Sequence, residues 1–147
     1  MDNLFKKLFP SKETRRYRKM HRRHRKELVK LAKETGEYDW CWLHQMVVLQ
    51  IRHMHEYYSK GDNVWQVDES RLEIVDQLQH ILDLEEELER VQDDDCGIES
   101  VYEGNEFVGW NRQADTSERL ERNEKRVQEL YEEIYSYIGK NIRCWWD

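Results

Sequence analysis

The sequence predicts an all-α protein, a helical bundle of three principal helices plus a basic N-terminal helix. Three observations carry this. One proline and six glycines in 147 residues leave little material for a loop-rich or all-β fold. Apolar residues recur at +3/+4 spacing through four long segments. Hydrophobic residues are 38% and charged residues 37%, so the core must be drawn from thin stripes, helped by large aromatic rings. A core that thin favours a homo-oligomer, in which subunits cover each other's faces.

The charge is unevenly divided. The net value is −7, yet residues 1–33 hold 13 Lys and Arg against 3 Asp and Glu. The remainder holds 11 basic and 28 acidic residues. The expected organisation is a basic helical arm over 1–36 and an acidic helical bundle over 37–147.

The opening "MDNLFKKLFP" puts Leu4, Phe5, Leu8 and Phe9 on one face before Pro10 stops it. It is too short and too charged for a signal sequence or a membrane span, and packing on the domain is expected. A helix follows from about Lys12 to Glu34, with Ser11 to cap it and Gly36 to end it. Tyr17, Met20, His24, Leu28 and Leu31 form its single apolar stripe, so this basic helix packs on something. Asp39 can cap the next helix, and Gly61-Asp62 can break it. Its stripe is Trp40, Leu43, Val47, Ile51, Met54 and Tyr58, widened by Trp42, Met46 and Leu49. Ser70 with Glu73 is a capping-box pattern, followed by Ile74, Leu78, Ile81, Leu88 and Val91.

Residues 92–115 are the least regular. Gly104-Asn105 between β-prone residues admits a small hairpin excursion near 100–108, which would need support. The last helix opens at Asp115 with Glu118 placed for a capping box. Its stripe is Leu120, Val127, Leu130/Tyr131, Ile134, Ile138 and Ile142, and the next turn lands on Trp145.

Several chemistries can be weighed. "EEELE" (Glu85, Glu86, Glu87, Glu89) resembles the EE-x-x-E half of the metal site in all-α nucleotide pyrophosphohydrolases. The partner E-x-x-D is missing from the last helix, so a solvated face over Leu84 and Leu88 is the plainer reading. Cys41 and His44 are one turn apart, but zinc needs a second tight pair. His53 and His55 face different ways, and His80 has Gln77 where a di-iron bundle would need a glutamate. No glycine-rich phosphate loop appears and nothing marks a nucleophile. No cofactor or metal is expected, and the chain reads as a binding protein rather than an enzyme. Three cysteines (Cys41, Cys96, Cys144) without a C-x-x-C pair read as reduced thiols.

Two surfaces remain. If consecutive helices alternate direction, Trp145 or Trp146 comes near Tyr57, Tyr58 and Trp65, with Arg52 and Arg143 close by. Aromatic faces with arginines suit a nucleotide, and they also suit a plain bundle cap. The basic segment "RRYRKMHRRHRK" offers Arg15, Arg16, Arg18, Arg22, Arg23 and Arg25 to a polyanion. The acidic body opposes that, so docking on an acidic surface, its own or a neighbour's, is the first reading.

"DWCWLHQMVVLQIRHMHEYY" at 39–58 and "LYEEIYSYIGKNIRCWWD" at 130–147 resemble a group of small tailed-phage proteins. The shared features are Asp39, Trp40, Trp42 and Leu43, then Met54 and Tyr57, then Ile142 with Trp145-Trp146-Asp147. The basic helix lies outside the resemblance. The resemblance implies a phage origin, an accessory role and the cytoplasm of an infected bacterium, with no mechanism. The expected function is therefore non-enzymatic binding or sequestration of a host protein or nucleotide signal, blunting host defence. The alternatives are a nucleic-acid-associated protein using the basic helix, and a metal-dependent nucleotide hydrolase using the acidic run.

Overall fold

The structure, a computed structural model, describes residues 12–34, 40–60, 68–94 and 96–145. The expected amphipathic opening, the caps Ser11, Gly36 and Asp39, the Gly61-Asp62 break, and Trp65, Trp146 and Asp147 lie outside these residues. The fold class is mostly α with a small antiparallel hairpin. In order, the elements are α1 (Lys12–Glu34), α2 (Trp40–Ser59), α3 (Asp68–Gln92), β1 (Ile98–Glu103), β2 (Glu106–Arg112) and α4 (Thr116–Asn141). A 3₁₀ turn, Ile142–Trp145, closes the described chain. The chain falls into two compact units, Met1–Gln79 and His80–Asp147, and the division falls inside α3.

In the first unit α1 and α2 run antiparallel. Tyr17 meets Tyr57 edge-on at 5.8 Å, and His24 meets His53 further along α1 and further back along α2. The buried face of α2 is His44, Val48, Ile51, His53, Met54 and Tyr58. This face is rotated from the expected stripe at its N-terminal end, where Trp40 and Leu43 are about half exposed (51% and 47%). Contact with α1 runs through His53 and Glu56, whereas buried His44 and Val48 lie about 140–180° around the helix from His53, so α2 is covered on more than one side. Ile74 and Leu78 of α3 are buried, as their stripe requires. The helix begins at Asp68, so Ser70 lies inside its first turn instead of capping it.

In the second unit Ile81, Leu84 and Leu88 of α3 and Leu130 and Ile134 of α4 are buried. The α3 residues follow +3/+4 steps, and the two α4 residues are one turn apart, as each helix's buried stripe requires. Arg126 pairs with Glu87 at 2.7 Å, and His80 meets Tyr137 edge-on at 4.6 Å. These pairs run in opposite order, so α4 returns antiparallel to α3. Asp115 precedes α4 with φ −95° and ψ 6°, and its side chain makes no capping bond. A cap needs the extended backbone that aims the carboxylate at the third residue's N–H. Here the start is held instead by Thr116 N–H donating to Gln113 O. At the other end Trp145, 1% exposed, takes the burial, while Ile142 stays 42% exposed.

β1 and β2 form the hairpin over a two-residue Gly104-Asn105 turn. Gly104 has φ +65° and Asn105 no positive φ, the type II′ pattern that suits a right-twisted hairpin. Val101 pairs with Gly109 but Tyr102 with Phe107, so Val108 is the extra residue of a β-bulge. Below the hairpin, Cys96 adopts φ +53° and Gly97 φ +73°. Cys96 is 1% exposed. Its N–H donates to Asp94 Oδ1 at 3.0 Å, and its sulfur receives the Asn123 amide at 3.2 Å. The same amide donates to Asp94 Oδ2 (2.9 Å), and Arg119 bonds Asp94 Oδ1 (2.9 Å). The Asn123 amide, then the Cys96 N–H, hold the Asp94 carboxyl below its usual range. A two-stranded ribbon is marginal in water by itself. This polar knot, with Gln113 N–H donating to Gly97 O, fixes its base to α4.

Candidate functional site

The basic helix α1 has two sides with different partners. The inner side meets α2 through a crossed pair of His-x-x-Glu spellings, His24/Glu27 on α1 and His53/Glu56 on α2. His24 Nε2 lies 2.9 Å from Glu56 Oε2, and His53 Nε2 lies 2.7 Å from Glu27 Oε2. A carboxylate only accepts, so His53 carries its proton on Nε2 and donates it to Glu27. The two imidazoles stack at 3.8 Å with planes 3° apart. Arg23 bridges Glu27 (3.4 Å) and Glu56, and Lys60 also pairs with Glu56.

Both imidazoles titrate below their ordinary range. Burial is the largest cause for each. For His24, the Arg23 charge lowers it further and Glu27 opposes. For His53, the Glu27 hydrogen bond opposes and the neighbouring His24 lowers it. At neutral pH the clasp therefore holds two neutral rings among two cations and two carboxylates. The Glu-x-x-His spacing weighed at His80 does not reach these residues, which carry the reversed spelling. Its recurrence in two successive helices was the available signal.

The outer side of α1 is solvent-facing and cationic. Arg15, Arg16, Arg18, Arg22 and Arg25 are exposed. Among the described residues, Arg16, Arg18, Arg22 and Arg25 form no ion pair, whereas Arg23 is consumed by the clasp. Lys12, Arg15, Arg16 and Lys19 line a concavity of about 550 Å³ at the helix start. Docking on acidic surface thus accounts for Arg23 and His24 but leaves a row of three arginines, Arg18, Arg22 and Arg25, to solvent on the far side, with Arg16 exposed on the flank beside Arg23.

The aromatic-arginine set is distributed over both units. In the first, Arg52 is exposed, and Tyr57 meets Tyr58 edge-on at 5.3 Å. In the second, Arg143 is exposed and Trp145 is buried. Trp65 and Trp146 lie outside the described residues. In the acidic run, Glu85 is buried and Glu87 pairs with Arg126. Among the described residues no three His, Cys, Asp or Glu side chains converge as metal ligands, and no helix is long and apolar enough to cross a membrane. No family model, no curated protein and no solved structure matches the chain.

Proposed function

We propose that this is a non-enzymatic binding protein that engages the phosphate backbone of nucleic acid through the outer face of α1. The observation that supports this is the row Arg18, Arg22 and Arg25, within about 60° of one another on α1, exposed and without carboxylate partners among the described residues. The clasp with α2 uses the opposite side, so α1 can remain docked while it binds. The cationic concavity lined by Lys12, Arg15, Arg16 and Lys19 adds positive charge on the adjoining side of the helix, toward its N-terminal end. An accessory role in a phage-infected cell, as the resemblance implies, accommodates such an activity.

The test is binding of a labelled duplex across a salt series. Each phosphate neutralised contributes about −0.9 to the slope of log K against log salt on duplex DNA. Replacing Arg18, Arg22 and Arg25 with Gln should flatten that slope by up to about 3 and leave helix content unchanged. Binding that ignores salt, or survives the replacement intact, overturns the proposal.

A further inference from the structure

The hairpin in the second unit carries an aromatic surface of its own. Tyr102, Phe107 and Trp110 are 60%, 50% and 60% exposed. Tyr102 and Phe107 sit opposite each other in the ladder, and Phe107 meets Trp110. Ring centroids are 5.8 Å apart for Tyr102–Phe107 and 5.1 Å for Phe107–Trp110, both edge-to-face. The three rings therefore share one face of the ribbon.

The register sorts the charges. Side chains alternate along a strand. Ile98, Ser100 and Tyr102 share the ring face with Phe107, Trp110 and Arg112. Glu99, Val101, Glu103, Glu106, Gly109 and Asn111 take the other. Every carboxylate of the hairpin is thus on the face opposite the rings. The bulge makes this possible, because Val108 shifts the parity between Glu106 and Arg112. Arg112 is exposed and forms no ion pair among the described residues.

We infer that this face binds unpaired bases of a single-stranded nucleic acid, which stack on Tyr102, Phe107 and Trp110 while Arg112 meets the backbone. Every base has a flat π-face, so a platform of exposed rings takes single strands with little sequence preference. A cation on the ring side and carboxylates on the other suit a polyanion approaching from the ring side alone. Three rings of about 150–250 Å² each, half exposed, offer roughly 350 Å². That falls well short of the ~800 Å² per partner of a standard protein interface. The area fits two or three bases better than a second copy of the chain. The inference takes its ligand class from the proposed function and adds what α1 lacks, a means of telling single strands from duplexes.

The experiment compares a labelled oligothymidylate with a duplex of equal length, by fluorescence anisotropy, on the intact protein. Phe107→Ala with Trp110→Ala should weaken oligothymidylate binding roughly tenfold per ring and leave duplex binding unchanged. Both positions are exposed, and far-ultraviolet circular dichroism checks that the fold persists. Tyr102→Phe keeps the ring and should bind as the parent does. Equal losses on both ligands, or no loss on the single strand, overturn the inference. So does a double variant that turns a dimer into a monomer in sedimentation, since the face would then cover a second copy. Failure of the α1 proposal reads differently: the three-arginine variant would bind both ligands like the parent while the hairpin variant still lost the single strand.

Discussion

His53→Ala tests the clasp between α1 and α2. His53 is 6% exposed and has two kinds of contact to lose. Its hydrogen bond to Glu27 spans 2.7 Å, and Glu27 is 41% exposed, so the loss falls near the low end for a bond to a charged group, about 1–1.5 kcal/mol. The stacked partner His24 adds about 0.5–1 kcal/mol. The expected total is about 2 kcal/mol, or a fall in melting temperature of roughly 4–8 °C for a chain of this size. The pH dependence gives the sharper check. Burial lowers both imidazole pKa values in the folded protein. In the unfolded chain they titrate near the ordinary value of about 6.5. Below that value the unfolded chain binds more protons, so stability is full at pH 8 and falls as pH drops toward the folded pKa values. Acid charges both rings beside Arg23 and Lys60. Thermal melts at pH 8 and pH 5 should therefore show a larger penalty for His53→Ala at pH 8. A penalty equal at both values, or absent at pH 8, would refute the neutral stacked pair.

Two further changes probe the second unit. Trp145→Ala removes a ring that is 1% exposed and should cost about 3–5 kcal/mol in chemical denaturation; a loss under 1 kcal/mol would mean the ring is not packed as described. Gly97→Ala should cost more than Gly104→Ala. Both sit in the left-handed region, where a Cβ costs roughly 1–2 kcal/mol, but the new Cβ at 97 would also fall 2.7 Å from the Gln113 side chain, while that at 104 meets open space. Equal costs would show that Gln113 yields freely.

The helices were legible because each carries a periodic stripe long enough to outweigh local noise. Lys12–Glu34 and Trp40–Ser59 span the segments that the apolar spacing marked out, although the α2 stripe is rotated at its N-terminal end. The hairpin was legible as a turn, since Gly104 supplies the backbone freedom that a type II′ position needs. The caps were less so. Ser70 and Asp115 have the right residue types and spacing, but capping depends on a backbone angle that the neighbouring chain decides. The bulge at Val108 and the left-handed Cys96 were not legible at all. Nothing in the residue types at those positions asks for either, and the Cys96 turn is held by Asn123, 27 positions away. The His-Glu clasp lies between these cases. Its spelling is local, but its meaning appears only when two helices cross it.

That crossing also fixes how far α1 can slide. An apolar stripe alone repeats every turn and tolerates a slip of about 5.4 Å. Moving α1 by one turn would set Arg23 or Leu31 where Glu27 now meets His53, and Met20 or Leu28 where His24 now meets Glu56. Neither slip offers His53 a carboxylate or Glu56 an imidazole, and both break the two pairs at once. The clasp thus acts as a registration mark, and it determines which arginines of α1 face outward.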